Sequence, residues 1–173
     1  MPDSKQRWYV LYTKPRWEKK VHSLLVKKGI EAYCPLNKTK KKWSDRIKWV
    51  EEPLLKSYVF VKIPEKEQAE VRMVNGVVNF VYWLGKPAVV KEAEISIIKK
   101  FLNEYVDVIA EALPIKPEAR LKVQRGIFMD REVKVLKVQR NRVQVVIESI
   151  GYSLVAFVDK SNLAAIENST VNY

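Results

Sequence analysis

The sequence predicts an α+β fold: an antiparallel four-stranded sheet with flanking helices, followed by a small five-stranded β-barrel. Residues 1–105 alternate aromatic, β-branched strands with helical segments, which is typical of a mixed domain. From Leu121 to Ile166 the chain is dense in valine and forms short strands separated by turn residues. Closely spaced short strands of this kind indicate a small barrel.

Hydrophobic periodicity and turn residues place the elements of the first part of the chain. Strands are predicted where β-branched and aromatic residues cluster, and helices where apolar residues recur every three or four positions. In order, the predicted elements are strand Trp8–Tyr12, a helix from Pro15 to about Lys28, strand Ile30–Leu36, a hairpin over Asn37–Lys48, strand Ser57–Ile63, a helix over Glu65–Met73, strand Val77–Trp83 and a helix over Glu92–Asn103.

The first helix has two distinct faces. Pro15 suits a first helical turn, and Gly29 suits the position just after the end. An apolar stripe predicts the face toward the core, and a polar stripe predicts a basic face, which could equally be a solvated flank. The apolar stripe is Trp17, Val21, Leu24 and Leu25, and the polar stripe is Arg16, Lys20, Ser23 and Lys27.

Two prolines, Pro114 and Pro117, mark a change in sequence composition and predict a linker over residues 106–118. The predicted division is therefore a first domain over 1–105 and a barrel domain over 119–173. Within the barrel, strands are predicted at Val133–Val138, Val143–Ile147 and Leu154–Val158.

Positive charge is concentrated in the first third of the chain. The net charge is +12, yet residues 1–62 hold 16 Lys and Arg against 6 Asp and Glu, a net of +10. A charge excess this localised indicates contact with a polyanion such as nucleic acid. The alternative is a solvated face that only aids solubility.

Aromatic residues accompany that charge. Because successive strand residues point to opposite faces, Val10 shares a face with Tyr12, and Tyr58 shares one with Phe60. The hairpin adds Lys40, Lys41, Lys42 and Arg46 around Trp43, together with Trp49. The tryptophans either pack the hairpin stem or stack on bases, and the basic side chains predict phosphate contacts.

Several functional classes are excluded. The single cysteine, Cys34, cannot form an internal disulfide, and with the single histidine, His22, it falls short of a metal ligand set. No phosphate loop, nucleophile elbow or acid–base pair is present, so neither an enzyme nor a cofactor is expected. Without a signal peptide or membrane span, we expect a cytoplasmic monomer without a membrane partner.

Five sequence segments, in this order and spacing, resemble the NusG family of transcription elongation factors, and most closely its RfaH-like and UpxY-like antiterminators. The segments are WYVLYTK at 8–14, GIEAYCP at 29–35, EPLLKSYVFV at 52–61, NGVVNFV at 75–81 and GKPA at 85–88. The resemblance implies an NGN domain over 1–105 and an SH3-like KOW-type barrel over 119–173. In the barrel, Arg125–Phe128 and Ser149–Tyr152 resemble family segments, but residues 130–133 lack the family's characteristic glycine.

The resemblance also implies partners and site residues. The NGN domain would bind the clamp helices of bacterial RNA polymerase through an aromatic sheet face consisting of Val10, Tyr12, Tyr58, Phe60 and Phe80. A basic patch would contact exposed non-template DNA through Lys14, Arg16, Lys20 and Lys27. Leu24 stands where the RfaH type has a base-contacting histidine, so the DNA-sequence preference of the RfaH type is not expected of this chain. The barrel would contact a ribosomal protein or a termination factor.

An RNA-binding module is the main alternative. The segment Lys56–Ile63 matches much of the signature strand of the RNA-recognition motif, although Ser57 replaces its glycine. In that interpretation Tyr58 and Phe60 would stack on RNA bases. The long basic hairpin and the matches at both ends of the domain favour the NusG resemblance.

Overall fold

The computed structural model describes residues 5–113, 135–139 and 142–157, and the α+β class is confirmed. The chain divides into two compact units. The first unit comprises Met1–Leu36 and Pro53–Glu92, and the second comprises Asn37–Glu52 and Ala93–Tyr173. No helix within the described ranges is long and apolar enough to cross a membrane.

The described elements follow the predicted order closely. The helices are α1 (Glu18–Lys27), α2 (Gln68–Arg72) and α3 (Glu92–Glu104). The strands are β1 (Arg7–Thr13), β2 (Glu31–Tyr33), β3 (Leu36–Trp43), β4 (Arg46–Pro53), β5 (Tyr58–Ile63), β6 (Val77–Phe80), β7 (Tyr82–Trp83), β8 (Lys86–Pro87), β9 (Val89–Val90), β10 (Ile109–Ala112), β11 (Val135–Gln139), β12 (Arg142–Ile147) and β13 (Tyr152–Phe157).

The first unit is built on an antiparallel sheet in the order β2-β5-β1-β6, with β9 also paired to β1. This gives five strands, one more than predicted, because the short β9 extends the sheet beside the start of β1. Tyr9 and Leu11 of β1 lie opposite Val61 and Val59 of β5. This face forms a buried core with residues of α1 and α2, which are Val21, Leu25 and Val71.

Helix α1 begins at Glu18, later than predicted. Arg16 has a φ of 68°, a left-handed conformation that a right-handed helix cannot include, so Pro15 and Arg16 form a turn before the helix. The buried Glu18 carboxylate accepts the Ser57 backbone N–H at 2.9 Å. This bond joins the start of α1 to the residue before β5.

In the second unit, β3 and β4 form the predicted hairpin around Ser44 and Asp45. Its base is attached to residues 107 and 108. The buried Asn37 side chain donates to the Val108 carbonyl at 2.8 Å and accepts the Val108 N–H at 3.0 Å. The Asp107 N–H donates to the Lys38 carbonyl, also at 2.8 Å.

The second unit also contains an antiparallel sheet in the order β10-β13-β12-β11. Strands β11, β12 and β13 correspond to the three predicted strands. Strand β10 lies within the predicted linker, where Ile109 pairs with Val155, so this part of 106–118 belongs to a sheet. The remaining predicted barrel features, including the segments 125–128 and 130–133, lie outside the described residues.

Candidate functional site

One face of the β1–β5 pair carries a row of large side chains. The register sets Trp8 opposite Lys62, Val10 opposite Phe60 and Tyr12 opposite Tyr58. Directly opposed residues share a face, so the predicted common face of these valine and aromatic residues is confirmed.

This aromatic row is accessible at one end only. Val10 is 1% exposed and Phe60 is fully buried, whereas Tyr12 is 47% exposed and Tyr58 is partly exposed. The two tyrosine rings meet edge to face with centroids 5.3 Å apart. The surface available to a partner is therefore the tyrosine pair, Tyr12 with Tyr58.

Phe80 does not belong to this face, which corrects the prediction. Its register partner on β1 is Leu11, so Phe80 lies on the opposite face of the sheet, in the core. Its ring packs edge to face against Tyr9, at 5.7 Å between centroids, and only 2% of the residue is exposed. Periodicity within β6 could not show this, because the register between β6 and β1 decides on which face of the sheet each β6 side chain lies.

The other end of the row is held by an acidic residue. The Trp8 indole N–H donates to the Glu92 carboxylate at 2.6 Å, and the Lys62 ammonium lies 3.2 Å from the same oxygen. Lys62 also lies over the Trp8 ring, at 6.0 Å from its centroid. Trp8 and Lys62 are thus held in place by their neighbours.

The packing of Phe60 bears on the RNA-binding alternative. Its ring stacks on Tyr33 of β2, with centroids 6.1 Å apart and planes 20° from parallel. A base needs an open ring face for stacking, and the fully buried Phe60 presents none. Burial also raises the pKa of the Tyr33 hydroxyl, as does the neighbouring Cys34.

The predicted basic patch lies partly on α1 and partly before it. Lys20 and Lys27 are exposed on the helix, while Lys14 and Arg16 are exposed in the preceding segment. Between them lies Trp17, which the sequence pattern assigned only to the core stripe. The Lys14 and Lys20 Nζ atoms lie 5.6 and 4.5 Å from the centroid of the Trp17 ring.

Gly76 makes room for the Trp17 ring. A Cβ atom at this position would lie 2.6 Å from Cε3 of Trp17, closer than real contacts allow. Its φ of 92° also favours glycine. The Gly76 carbonyl accepts the Lys14 backbone N–H at 2.9 Å, so the turn containing Gly76 contacts both Lys14 and Trp17.

The hairpin tip is exposed over all five predicted contact residues, which are Lys40, Lys41, Lys42, Trp43 and Arg46. Trp43 is 64% exposed, so it does not pack the stem and its ring is available to a ligand. The Lys40 ammonium lies 5.0 Å from the centroid of the Trp49 ring. Lys41 forms a surface ion pair with Glu52 at 2.9 Å.

Cys34 is buried in the core of the first unit. Burial raises the pKa of its thiol to about 11, and the Glu18 carboxylate adds to the rise while Lys19 opposes it. The thiol is therefore neutral at pH 7 and poorly suited to act as a nucleophile. Nε2 of His22 lies 3.2 Å from the Ala32 carbonyl oxygen.

Comparison with known proteins agrees with these features. The model of the NusG family, described as transcription termination factor nusG, matches residues 6–99, which is more than half of the chain. Relatives include the transcription termination/antitermination protein NusG of Streptococcus pyogenes serotype M3 (strain ATCC BAA-595 / MGAS315) and that of serotype M1. Each is 25% identical, over 92% of this chain and 96% of its own length.

A solved structure described as "Domain interaction in Thermotoga maritima NusG" is also similar. It is 22% identical in sequence, covers 91% of this chain and 95% of its own, and has a TM-score of 0.49. The family assignment depends on the sequence matches, which extend from the first strand into α3 and, for the relatives, along nearly the whole chain. This chain therefore belongs to the NusG family of transcription termination/antitermination factors.

Proposed function

We propose that this chain binds the clamp helices of bacterial RNA polymerase and contacts exposed non-template DNA, suppressing pausing and termination. Polymerase binding uses the sheet face that ends in Tyr12 and Tyr58. DNA binding uses the basic residues around α1 and the β3–β4 hairpin. The observation that carries the proposal is a tyrosine pair, with Tyr12 exposed and Tyr58 partly exposed, at the end of an otherwise buried aromatic row.

The tyrosine pair has the chemistry of a protein-binding hot spot. Tyrosine is enriched among residues that dominate interface energy, because it offers a large apolar ring with a hydroxyl that can find a partner. Val10 and Phe60 form the next opposed pair on the same face of the two strands, and both are buried. A preformed surface of this kind needs little reordering when a helical partner binds.

The polymerase contact is tested by removing the two tyrosine rings. Tyr12→Ala and Tyr58→Ala should each weaken binding to purified RNA polymerase by about 30-fold, since a hot-spot residue contributes roughly 2 kcal/mol or more. Binding is measured by titrating labelled polymerase with each variant. Tyr82→Ala is the matched control, because Tyr82 is 45% exposed but lies outside the aromatic row.

The variants must keep their fold for this result to count, and their melting temperatures provide that check. Parental affinity in a folded Tyr12→Ala/Tyr58→Ala double variant would rule out this face as the polymerase contact. Loss of RNA binding with intact polymerase binding would favour the RNA-binding alternative instead.

The DNA contact is supported by charge placed on exposed, polar strands. Lysine ammonium groups neutralise phosphates and release condensed counterions, which makes binding depend steeply on salt. Phosphate contacts of this type position a strand without reading its sequence. The exposed Trp43 adds a ring on which a base of any identity can stack.

Removing two hairpin charges should change the salt dependence by a defined amount. In Lys40→Gln/Lys42→Gln, the log–log slope of affinity for single-stranded DNA should become shallower by about 1.4, at roughly 0.7 per contact. Between 50 and 200 mM salt, the parent should then lose about sevenfold more affinity than the variant. Fluorescence anisotropy with a labelled oligonucleotide measures both slopes.

The control for this experiment removes equal charge elsewhere. Lys66→Gln/Lys86→Gln alters two exposed lysines outside both basic elements and should keep the parental slope. Equal slopes for all three proteins would mean that the hairpin is only a solubilising face.

The resemblance to RfaH-like and UpxY-like proteins supports action at specific operons, such as polysaccharide biosynthesis clusters. It also supports a KOW-type barrel over 119–173 that contacts a ribosomal protein or a termination factor. We retain the division into a polymerase-binding domain and a barrel as part of this proposal, with strand β10 assigned to the barrel side.

A further inference from the structure

We propose that Trp17 is the positioning residue of a phosphodiester site formed by Lys14 and Lys20. This inference rests on the proposed DNA contact and adds a residue and a mechanism to it. Trp17 would hold both ammonium groups in place before a DNA strand arrives, and would not itself stack on a base.

The geometry around the indole supports this role. Lys14 and Lys20 approach one ring, at 5.6 and 4.5 Å from its centroid, so their ammonium groups lie within about 10 Å of each other. The negative face of an indole attracts cations, and tryptophan does so more strongly than other aromatic residues. Two like charges are thereby kept near one ring, which favours a bound anion.

Trp17 is held by backbone hydrogen bonds and by the packing of its ring. The Trp17 backbone N–H donates to the Lys14 carbonyl at 3.1 Å, and the Trp17 carbonyl accepts the Val21 N–H at 2.8 Å. The six-membered part of the ring lies against Gly76, where no side chain fits. The Trp17 backbone is therefore bonded to the turn before α1 and to the first turn of α1, and its indole packs against the turn at Gly76.

This packing also explains why the indole would position lysines instead of stacking on a base. Trp17 is half-buried, with Gly76 against its six-membered ring and the two lysines near its centroid. Stacking needs a ring surface open to a base, as the exposed Trp43 offers. Holding a flexible lysine near its bound position reduces the conformational entropy that binding removes.

Phosphate is the ligand that best fits the charge. Both ammonium groups are exposed, and the neighbouring Arg16 is exposed as well. Lysine binds phosphate as a point charge and gives no bidentate geometry. The site should therefore take a phosphodiester of any sequence, and contribute affinity and salt dependence but no base preference.

The test compares substitutions at Trp17 in the full chain, using a single-stranded oligonucleotide between 50 and 200 mM salt. Lys14→Gln/Lys20→Gln should make the log–log slope shallower by about 1.4. Trp17→Leu should shift the slope in the same direction, and Trp17→Phe should stay near the parent because it keeps an aromatic ring. Adding Trp17→Leu to the double lysine variant should change nothing further, since the indole acts through those lysines.

Leu25→Ala separates positioning from general stability, since it removes a fully buried side chain from the same helix without altering the basic patch. It should lower the melting temperature and keep the parental slope. The inference is overturned if Trp17→Leu keeps the parental slope, if Trp17→Phe behaves like Trp17→Leu, or if Trp17→Leu lowers affinity in the absence of both lysines. If the parent binds no DNA, the proposed DNA contact fails and this inference fails with it, whereas parental binding by Trp17→Leu overturns this inference alone.

Discussion

Phe60→Ala is expected to lower the free energy of unfolding by about 3–5 kcal/mol, the usual cost of removing a buried phenylalanine ring. Phe60 is fully buried, opposes Val10 on β1 and stacks on Tyr33 on β2. Alanine would leave a cavity between these neighbours, and close-packed strands relax into such a cavity only partly. Against a typical total stability of about 5–15 kcal/mol, this loss threatens the fold.

Urea unfolding followed by circular dichroism measures this effect. Tyr58→Ala is the matched control, because it removes a ring from the same face and strand where the ring is only partly buried. Its loss of stability should be clearly smaller. A Phe60→Ala protein as stable as Tyr58→Ala would contradict the burial of Phe60.

This difference decides how the polymerase contact is tested. A variant at Phe60 would lose polymerase binding through unfolding, whether or not the ring touches the polymerase. Variants at Tyr12 and Tyr58 remove exposed surface, so they report on binding itself. The functional role of the aromatic row is therefore measured at its exposed end.

Asn37→Ala is expected to cost roughly 2–4 kcal/mol of stability, because it leaves both backbone groups of Val108 without their partner. The amide donates to the Val108 carbonyl and accepts the Val108 N–H, and both groups are buried. An unsatisfied buried polar group costs about 1–3 kcal/mol, whereas the alanine methyl group recovers little.

Two further substitutions are compared with Asn37→Ala. Asn37→Asp keeps an oxygen that accepts the Val108 N–H but places a buried carboxylate against the Val108 carbonyl, so at pH 7 it should cost at least as much as Asn37→Ala. Asn79→Ala removes an exposed asparagine whose Oδ1 accepts the Phe80 backbone N–H at 2.8 Å, so its cost should be smaller, about 1 kcal/mol. If Asn37→Ala proves no more costly than Asn79→Ala, the hairpin base is not held by this side chain.

The pattern of residues in the sequence was sufficient to predict the shared faces of the central strands and the exposure of the hairpin. The alternation in β1 and β5 predicted which residues share a face, because side chains on a strand alternate strictly. The lysine-rich composition of β3 and β4 predicted an exposed hairpin, since strands with so many charges cannot be buried. Five sequence segments further indicated the family, which the comparisons then established.

Long-range contacts decided the rest. The position of Phe80 depends on how β6 aligns with β1, and the start of α1 depends on a left-handed Arg16 and a buried Glu18 that bonds to Ser57. The strand β10 depends on its pairing with β13. None of these is contained in a local pattern, since each depends on a residue distant in the chain.

The sequence alone thus determined the kinds of elements, their order and the chemistry of the exposed surfaces. Tertiary structure decided which members of each set are accessible. Tyr12 and Tyr58 are accessible but Val10 and Phe60 are not, and Trp43 is exposed whereas Trp17 is half-buried. The physical reason is that periodicity shows which side chains share a face, whereas exposure depends on what packs against that face. That packing comes from distant segments of the chain, as when Gly76 packs against the Trp17 ring.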